Sequence, residues 1–360
     1  MFDRIRPYRD DEIPAAMERM ASDKFLPTVC RYLFPDKTLE EVAAGLRSCR
    51  TVRDFQRSFG YDVVWAIVLK TIDKLTISGL EELPDDRKYL FVANHRDIVL
   101  DAAILQDLLM NIGRDTTEIT FGANLMEGQF VIDFGKSNKM FRVERPDTVA
   151  SPREFLEKSM ELSSYIRYCI LEKGESVWIA QRNGRTKDGH DMTDPGIIKM
   201  FGMAGDIAEL NIVPITVSYE WEPCDSLKAA ELAARRSGGT YVKKPGEDFN
   251  SILTGLTQPK GRVHFEVGKP LSEKDFAPLR SLPRNAFHRE VAALIDRKVH
   301  AAYRLWPNNY VAASLMGATV PDGSYSEAEK EAFLAHIGKC GESLRQDMIS
   351  MYAAPYFDKK

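Results

Sequence analysis

KYLFVANHRDIVLDAAILQDLL, residues 88–109, decides how the chain is read. The run Tyr89–Ala93 is apolar and partly aromatic, which suits a buried strand. Asn94 and His95 end it. From Asp101 onward, apolar residues recur at helical spacing. A strand passing through a short loop into a helix is the repeating unit of an α/β sandwich. It puts His95 at the carboxyl edge of a sheet, where proteins of that class bind ligands. Asp97 and Asp101 follow closely. A carboxylate on one ring nitrogen would fix the imidazole tautomer and leave the other nitrogen free to take a proton.

The alternation extends on both sides. Further candidate strands are Glu118–Gly122, Met140–Val143, Val177–Ala180, Ile212–Ser218 and Val263–Val267. Helices are expected near 101–111, 152–172 and 196–210. Ser151-Pro152 with Glu154 reads as a capping box, and Asp194-Pro195 opens the next helix in the same way. Residues 1–75 read as helical throughout, with apolar periodicity in Ile13–Phe34 and Val52–Ile72 and a capping pair, Thr38 and Glu41. Residues 276–360 return to helix, interrupted at Pro307 and at the turn Pro321-Asp322-Gly323. The glycine-rich stretch 236–250 reads as a mobile loop. The organisation expected is an N-terminal helical region (1–75), an α/β domain (76–275) and a C-terminal helical region (276–360).

Composition excludes several classes. The chain is 44% hydrophobic with net charge -4, which supplies a core but no basic stripe for nucleic acid. Five cysteines are scattered without a CxxC pair, which points to a reducing compartment and away from a zinc or other metal site. Charges in MFDRIRPYRDDEIPAAM leave no apolar core for an export signal. The longest strongly apolar run, Val63–Leu69, is far short of the ~20 residues that cross a bilayer. A lipid-directed role would therefore be played on the membrane surface. YDVVWAIVLKTIDKL, with Trp65 flanked by Lys70 and Lys74, has the mixture found in interfacial helices.

Two tripeptides, His95-Arg96-Asp97 and Asp133-Phe134-Gly135, match protein-kinase signatures. The kinase reading fails because Ala102 stands where a magnesium-binding Asn is needed. The loop holding Asp188, His190, Asp191 and Asp194 reads as a polar lead-in to a capped helix, not as a metal site.

Three later segments carry chemistry. KMFRVERP brings Arg145 to the end of a short strand. SVWIAQRNGRTKDG places Arg182, Arg185 and Lys187 in one loop straight after an apolar strand, with Asn183 beside them and Gly184 permitting a tight turn. Guanidinium groups match phosphate oxygens with a planar fork that keeps its charge. LNIVPITVSYE enters another strand through Pro214, which fixes chain geometry.

Taken in order, the segments at 94–101, 139–145, 178–187 and 212–218 resemble the four signatures of the glycerol-phosphate and lysophosphatidate acyltransferase superfamily. The resemblance covers about 76–275. It departs from the family in two places: five residues, not four, separate His95 from Asp101, and Asn183 stands where the family has Glu. It implies an α/β fold with a mixed sheet flanked by helices. It implies His95 as general base, with Asp101 or Asp97 as its partner and Asn94 beside it. Arg145, Arg185, Lys187 and Arg182 would hold an acceptor phosphate, supported by Gly184. Leu100, Phe130, Met140 and Phe141 would line an acyl groove beside Pro214. The donor would be a thioester of acyl carrier protein or coenzyme A, used as co-substrate with no cofactor or metal. The acceptor would be glycerol 3-phosphate or a lysophosphatidate, and the site of action the inner face of the cytoplasmic membrane. A phosphate-free lipid alcohol such as an aminolipid, a non-catalytic lipid or acyl-carrier binder, and a thioester hydrolase remain as alternatives.

Overall fold

Helices open the chain and run into the sheet without a turn. The computed structural model describes residues 2–126, 128–238, 241, 243–244 and 246–359. The opening helices are α1 (Ile13–Ala21), α2 (Leu26–Leu33), α3 (Leu39–Ser48), α4 (Val52–Phe55) and α5 (Asp62–Thr71), with a π-helical turn, Gln56–Tyr61, between the last two. Ile13–Phe34 is thus two helices. Asp23 accepts from the Phe25 amide at 2.8 Å, and Pro27 starts the second helix. Thr38 and Glu41 form the expected reciprocal cap.

The α/β region follows as β1 (Ile72–Ser78), β2 (Leu90–Ala93), α6 (Leu100–Asn111), β3 (Glu118–Gly122), α7 (Gln129–Ser137), β4 (Met140–Val143), α8 (Pro152–Tyr168), β5 (Val177–Ala180), α9 (Pro195–Phe201), β6 (Ile212–Tyr219), α10 (Asp225–Arg236), α11 (Glu247–Thr257) and β7 (Gly261–Val267). The chain ends in α12 (Glu273–Phe276), α13 (Arg284–Ala302), α14 (Pro307–Leu315), α15 (Glu327–Gly338) and α16 (Glu342–Asp358). The seven strands lie in the order β1-β7-β6-β2-β5-β3-β4. The β6–β7 pair is antiparallel and the rest are parallel, so the sheet is mixed.

Alternation sorts the strands onto two cores. Leu90, Val92, Val177 and Ile179 pack under α8, α9 and α13. Phe91, Ala93, Trp178, Val213, Ile215 and Val217 pack on the opposite face, with α5 and α6. Separate clusters hold the N-terminal helices together and join α10 to α14, α15 and α16.

Several expectations need correction. β1 lies partly within the stretch read as helix. Its register slips between Ile72 and Lys74, which destroys the alternation that marks a strand. The helix expected over 196–210 stops at Phe201. It resumes as a 3-10 turn, Ile207–Leu210, capped by Asp206. Ser151 caps α8, but Glu154 accepts from Ala150, so the box is only half formed. Helices α7, α10 and α11 were not anticipated. In α10 the buried face mixes Asp225, Lys228 and Glu231 with Ala229, so charges interrupt its apolar stripe. The loop expected at 236–250 narrows to the span between Arg236 and Glu247. Residues 239, 240, 242 and 245 of that expectation lie outside the described residues. In the interfacial-helix segment, Val64, Trp65 and Ile67 lean on the core while Leu69 stays 70% exposed.

Helix α6 carries an unusual acid. Asp107 is buried, its Oδ2 has no hydrogen-bond partner among the described residues, and burial, helped by the Asp62 charge, pushes its pKa up to about 8. A folded-state value above the unfolded one gives stability that is full below the ordinary carboxylate range and lost as pH rises through about 8. Asp107→Asn is therefore expected to flatten the fall in melting temperature between about pH 5 and pH 8. Calorimetric scans of both proteins across that range check this.

Candidate active site

Strand β2 delivers His95 to the carboxyl end of the sheet, and the first turn of α6 delivers Asp101. The five intervening residues form a closed loop. His95 Nδ1 lies 2.9 Å from Asp101 Oδ2. The same oxygen accepts from the backbone amides of Arg96 at 2.6 Å and Asp97 at 2.9 Å. Asp101 Oδ2 already acts as an acceptor for two amides, so the matching tautomer of a neutral His95 donates from Nδ1 and leaves Nε2 as the basic nitrogen. The ring stands edge-on to Trp178, with centroids 5.9 Å apart. Asp97, the other candidate, does something different. Its Oδ1 accepts from the amides of Val99 and Leu100 and so caps α6. The extra residue of this loop is absorbed without disturbing the His95–Asp101 pair.

The loop is clamped from behind by buried charge. Asn94 Nδ2 donates to Asp191 Oδ2 at 2.8 Å, and Asn94 also exchanges hydrogen bonds with the Val217 backbone. The Arg96 guanidinium, 1% exposed, binds Asp191 at 2.6 Å, Glu222 at 3.1 Å and the Gly189 carbonyl at 3.0 Å. Lys228 of α10 donates to Glu222 and to the Arg96 carbonyl. Asp191 also accepts from Thr186 Oγ1, while the Thr186 amide donates to the His95 carbonyl at 2.7 Å. The loop after β5 is thereby tied to the loop after β2. Asp191, read from sequence as part of a polar lead-in, is the hub of this network. Arg96 and Tyr219, whose hydroxyl donates to Asp101 Oδ1, also escaped the sequence reading.

In front of His95 lies a cavity of about 420 Å³, at the carboxyl ends of β2, β3, β4 and β5. Ile98, Val99, Phe121, Met140, Phe155 and Leu162 supply apolar wall. Arg145, Arg182 and Arg185 supply charge, and no carboxylate among the described residues lies within salt-bridge distance of any of the three. One Nη of Arg185 is buried with no acceptor among the described residues. Arg145 lies against Gly122, where a Cβ would come within 3.2 Å of its Nε and Nη2. That glycine leaves room for the guanidinium. Gly184 adopts φ +75°, as a tight turn requires, and Asn183 is exposed on the cavity wall.

Other expected residues sit elsewhere. Lys187 reaches the cavity wall but is ion-paired to Glu231, which also binds Arg235, so its charge is already matched. Pro214 is buried in β6, opposite Val92, and does not line the cavity. Of the proposed acyl-groove residues only Met140 does so. Leu100 and Phe141 are core, and Phe130 packs with the N-terminal helices.

The acyltransferase family model matches residues 74–218, which run from β1 through β6. No curated sequence matches significantly. Among solved structures, the chain is similar to the 1-acyl-sn-glycerophosphate (LPA) acyltransferase PlsC from Thermotoga maritima. That likeness has 15% identity and a TM-score of 0.38, over 81% of this chain and 95% of that one. The family match identifies residues 74–218 as an acyltransferase domain.

The clamp makes a stability prediction. Gly189 has φ +85°, and a Cβ there would meet the Met351 carbonyl oxygen at 2.1 Å and the Ala354 Cβ at 2.8 Å. Gly189→Ala is expected to cost about 2 kcal/mol or more and to lower the melting temperature, because both φ and space oppose it. Thermal melts of the two proteins test it, and an unchanged midpoint would contradict the packing described.

Proposed function

We propose that the protein moves a fatty acyl chain from a thioester onto a hydroxyl of a phosphate-bearing glycerol acceptor, glycerol 3-phosphate or a lysophosphatidate. The observation that carries this reading is the His95–Asp101 pair facing a largely apolar cavity in which, among the described residues, no carboxylate lies within salt-bridge distance of the three guanidiniums. An apolar wall suits an acyl chain, and unmatched guanidiniums suit a phosphate.

In this mechanism His95 Nε2 removes the proton of the acceptor hydroxyl as its oxygen attacks the thioester carbonyl carbon. The new C–O bond forms, the C–S bond breaks, and the imidazolium returns its proton to the leaving thiolate. Asp101 keeps the imidazole in the required tautomer and stabilises the imidazolium. Arg145, Arg182 and Arg185 hold the phosphate so that the hydroxyl meets the base, and positioning of this kind lowers a barrier by up to about 7–11 kcal/mol. Lys187 joins them only if Glu231 releases it. The thiol of the donor belongs to acyl carrier protein or coenzyme A. Among the described residues no helix is long and apolar enough to cross a membrane. The protein works from the surface of the bilayer at its cytoplasmic face in this reading, and the exposed Leu69 beside Trp65 supports contact with lipid.

Purified protein with radiolabelled acyl thioesters tests the proposal. Two donors are crossed with glycerol 3-phosphate, lysophosphatidate and a phosphate-free lipid alcohol. His95→Ala is expected to lower kcat by about 10²–10⁴-fold. Asp101→Asn should lower kcat far more than Asp97→Asn, whose effect falls on stability. Arg145→Ala is expected to raise KM for the phosphate acceptor by about 10-fold or more. Full transfer by His95→Ala, or equal use of the phosphate-free alcohol, would sink the reading.

A further inference from the structure

Asp101 receives more hydrogen bonds than orienting His95 requires, and one comes from outside the loop that carries the pair. Its Oδ2 serves His95 Nδ1 and the amides of Arg96 and Asp97. Its Oδ1 accepts from Tyr219 Oη at 2.8 Å. Tyr219 is the last residue of β6 and is 1% exposed. Burial, reinforced by the Asp101 charge, holds its phenol well above the usual range, so it stays protonated and donates. A hydrogen bond from a neutral donor to a buried carboxylate both fixes the carboxylate plane and disperses its charge.

We propose that Tyr219 is a positioning residue for acyl transfer: through Asp101 Oδ1 it keeps Oδ2 turned toward His95 and sets how strongly Asp101 draws on the imidazole. The inference rests on His95 acting as the base. Other titratable groups face the pair. Asp97, from the same loop, and Glu222, beyond β6, act on Tyr219. Lys260, ahead of β7, and Cys224, ahead of α10, face Asp97 in turn. Arg96 is neutralised by Asp191 and Glu222 and adds a backbone donor to Asp101.

The test compares the full chain with Tyr219→Phe, reading kcat, KM and the pH profile of kcat/KM from about pH 5 to pH 9. Without the phenol, negative charge concentrates on Asp101 and protonated His95 is favoured. The acidic limb should then move to higher pH by about 0.5 unit or more, kcat should fall by about 10-fold, and acceptor KM should hold. Site-specific Tyr219→3,5-difluorotyrosine, a stronger donor of nearly the same shape, should move the limb the other way. It also serves if the phenylalanine variant does not fold. A profile superimposable on that of the parent in the variant that folds would overturn the proposal, whatever happens to the rate. His95→Ala separates the two levels. If it retains transfer, the general-base reading falls and this one with it. If it is inactive while the Tyr219 variants keep the parental profile, this one falls alone.

Discussion

The carboxylate of Asp101 is the point on which the site depends. It is fully buried, and four donors converge on it: the His95 ring, two successive backbone amides and the Tyr219 hydroxyl. An anion so far from water is tolerable only when its lone pairs are met. Meeting them forces the backbone of residues 95–97 to curl around the first turn of α6. The position of His95 is therefore a consequence of satisfying Asp101. It is also why five intervening residues still close onto the same geometry.

Behind that loop stands a second buried group of charges. Arg96 and Lys228 balance Asp191 and Glu222 almost out of reach of solvent. Burying such ions is expensive, and a well-packed apolar replacement of the set would be as stable or more so. What the charges provide is direction. Each requires its partner at a fixed place, and together they join the loops after β2 and β5 to α10. The C-terminal layer leans on the same group: the Glu222 amide donates to the Tyr352 hydroxyl, and Gly189 sits under α16. Breaking one partner would leave a charge unmatched in the interior, costing about 3–5 kcal/mol. Helices remote from the cavity thus hold the face that carries His95.

The cavity in front follows the opposite rule. There, among the described residues, no carboxylate pairs with the three guanidiniums, and Gly122 withholds a side chain so that Arg145 can lie beside it. Lys187 shows the contrast: Glu231 already answers it, so its charge belongs to the packing of α10 more than to the cavity. Charges matched by protein build the scaffold, and charges left unmatched are available to a ligand.

The sequence by itself determined the strand-to-loop placement of His95, the limits of β3, β4 and β5, the mixed α/β class and the clustering of arginines after β4 and β5. Those features are local: alternation, turn residues and charge within a few positions record them directly. Tertiary structure decided the rest. Asp101 rather than Asp97 faces His95 because only the folded loop shows which carboxylate meets the ring and which caps the helix. Strand β1 was hidden by a register slip, and α10 by charges set among the apolar residues of its buried face. Asp191 and Tyr219 reach the dyad loop from 97 and 118 positions away along the chain. Hydrogen bonds over such separations leave no periodic trace, because nothing in the spacing of residues along a chain records which distant side chain will satisfy a buried anion.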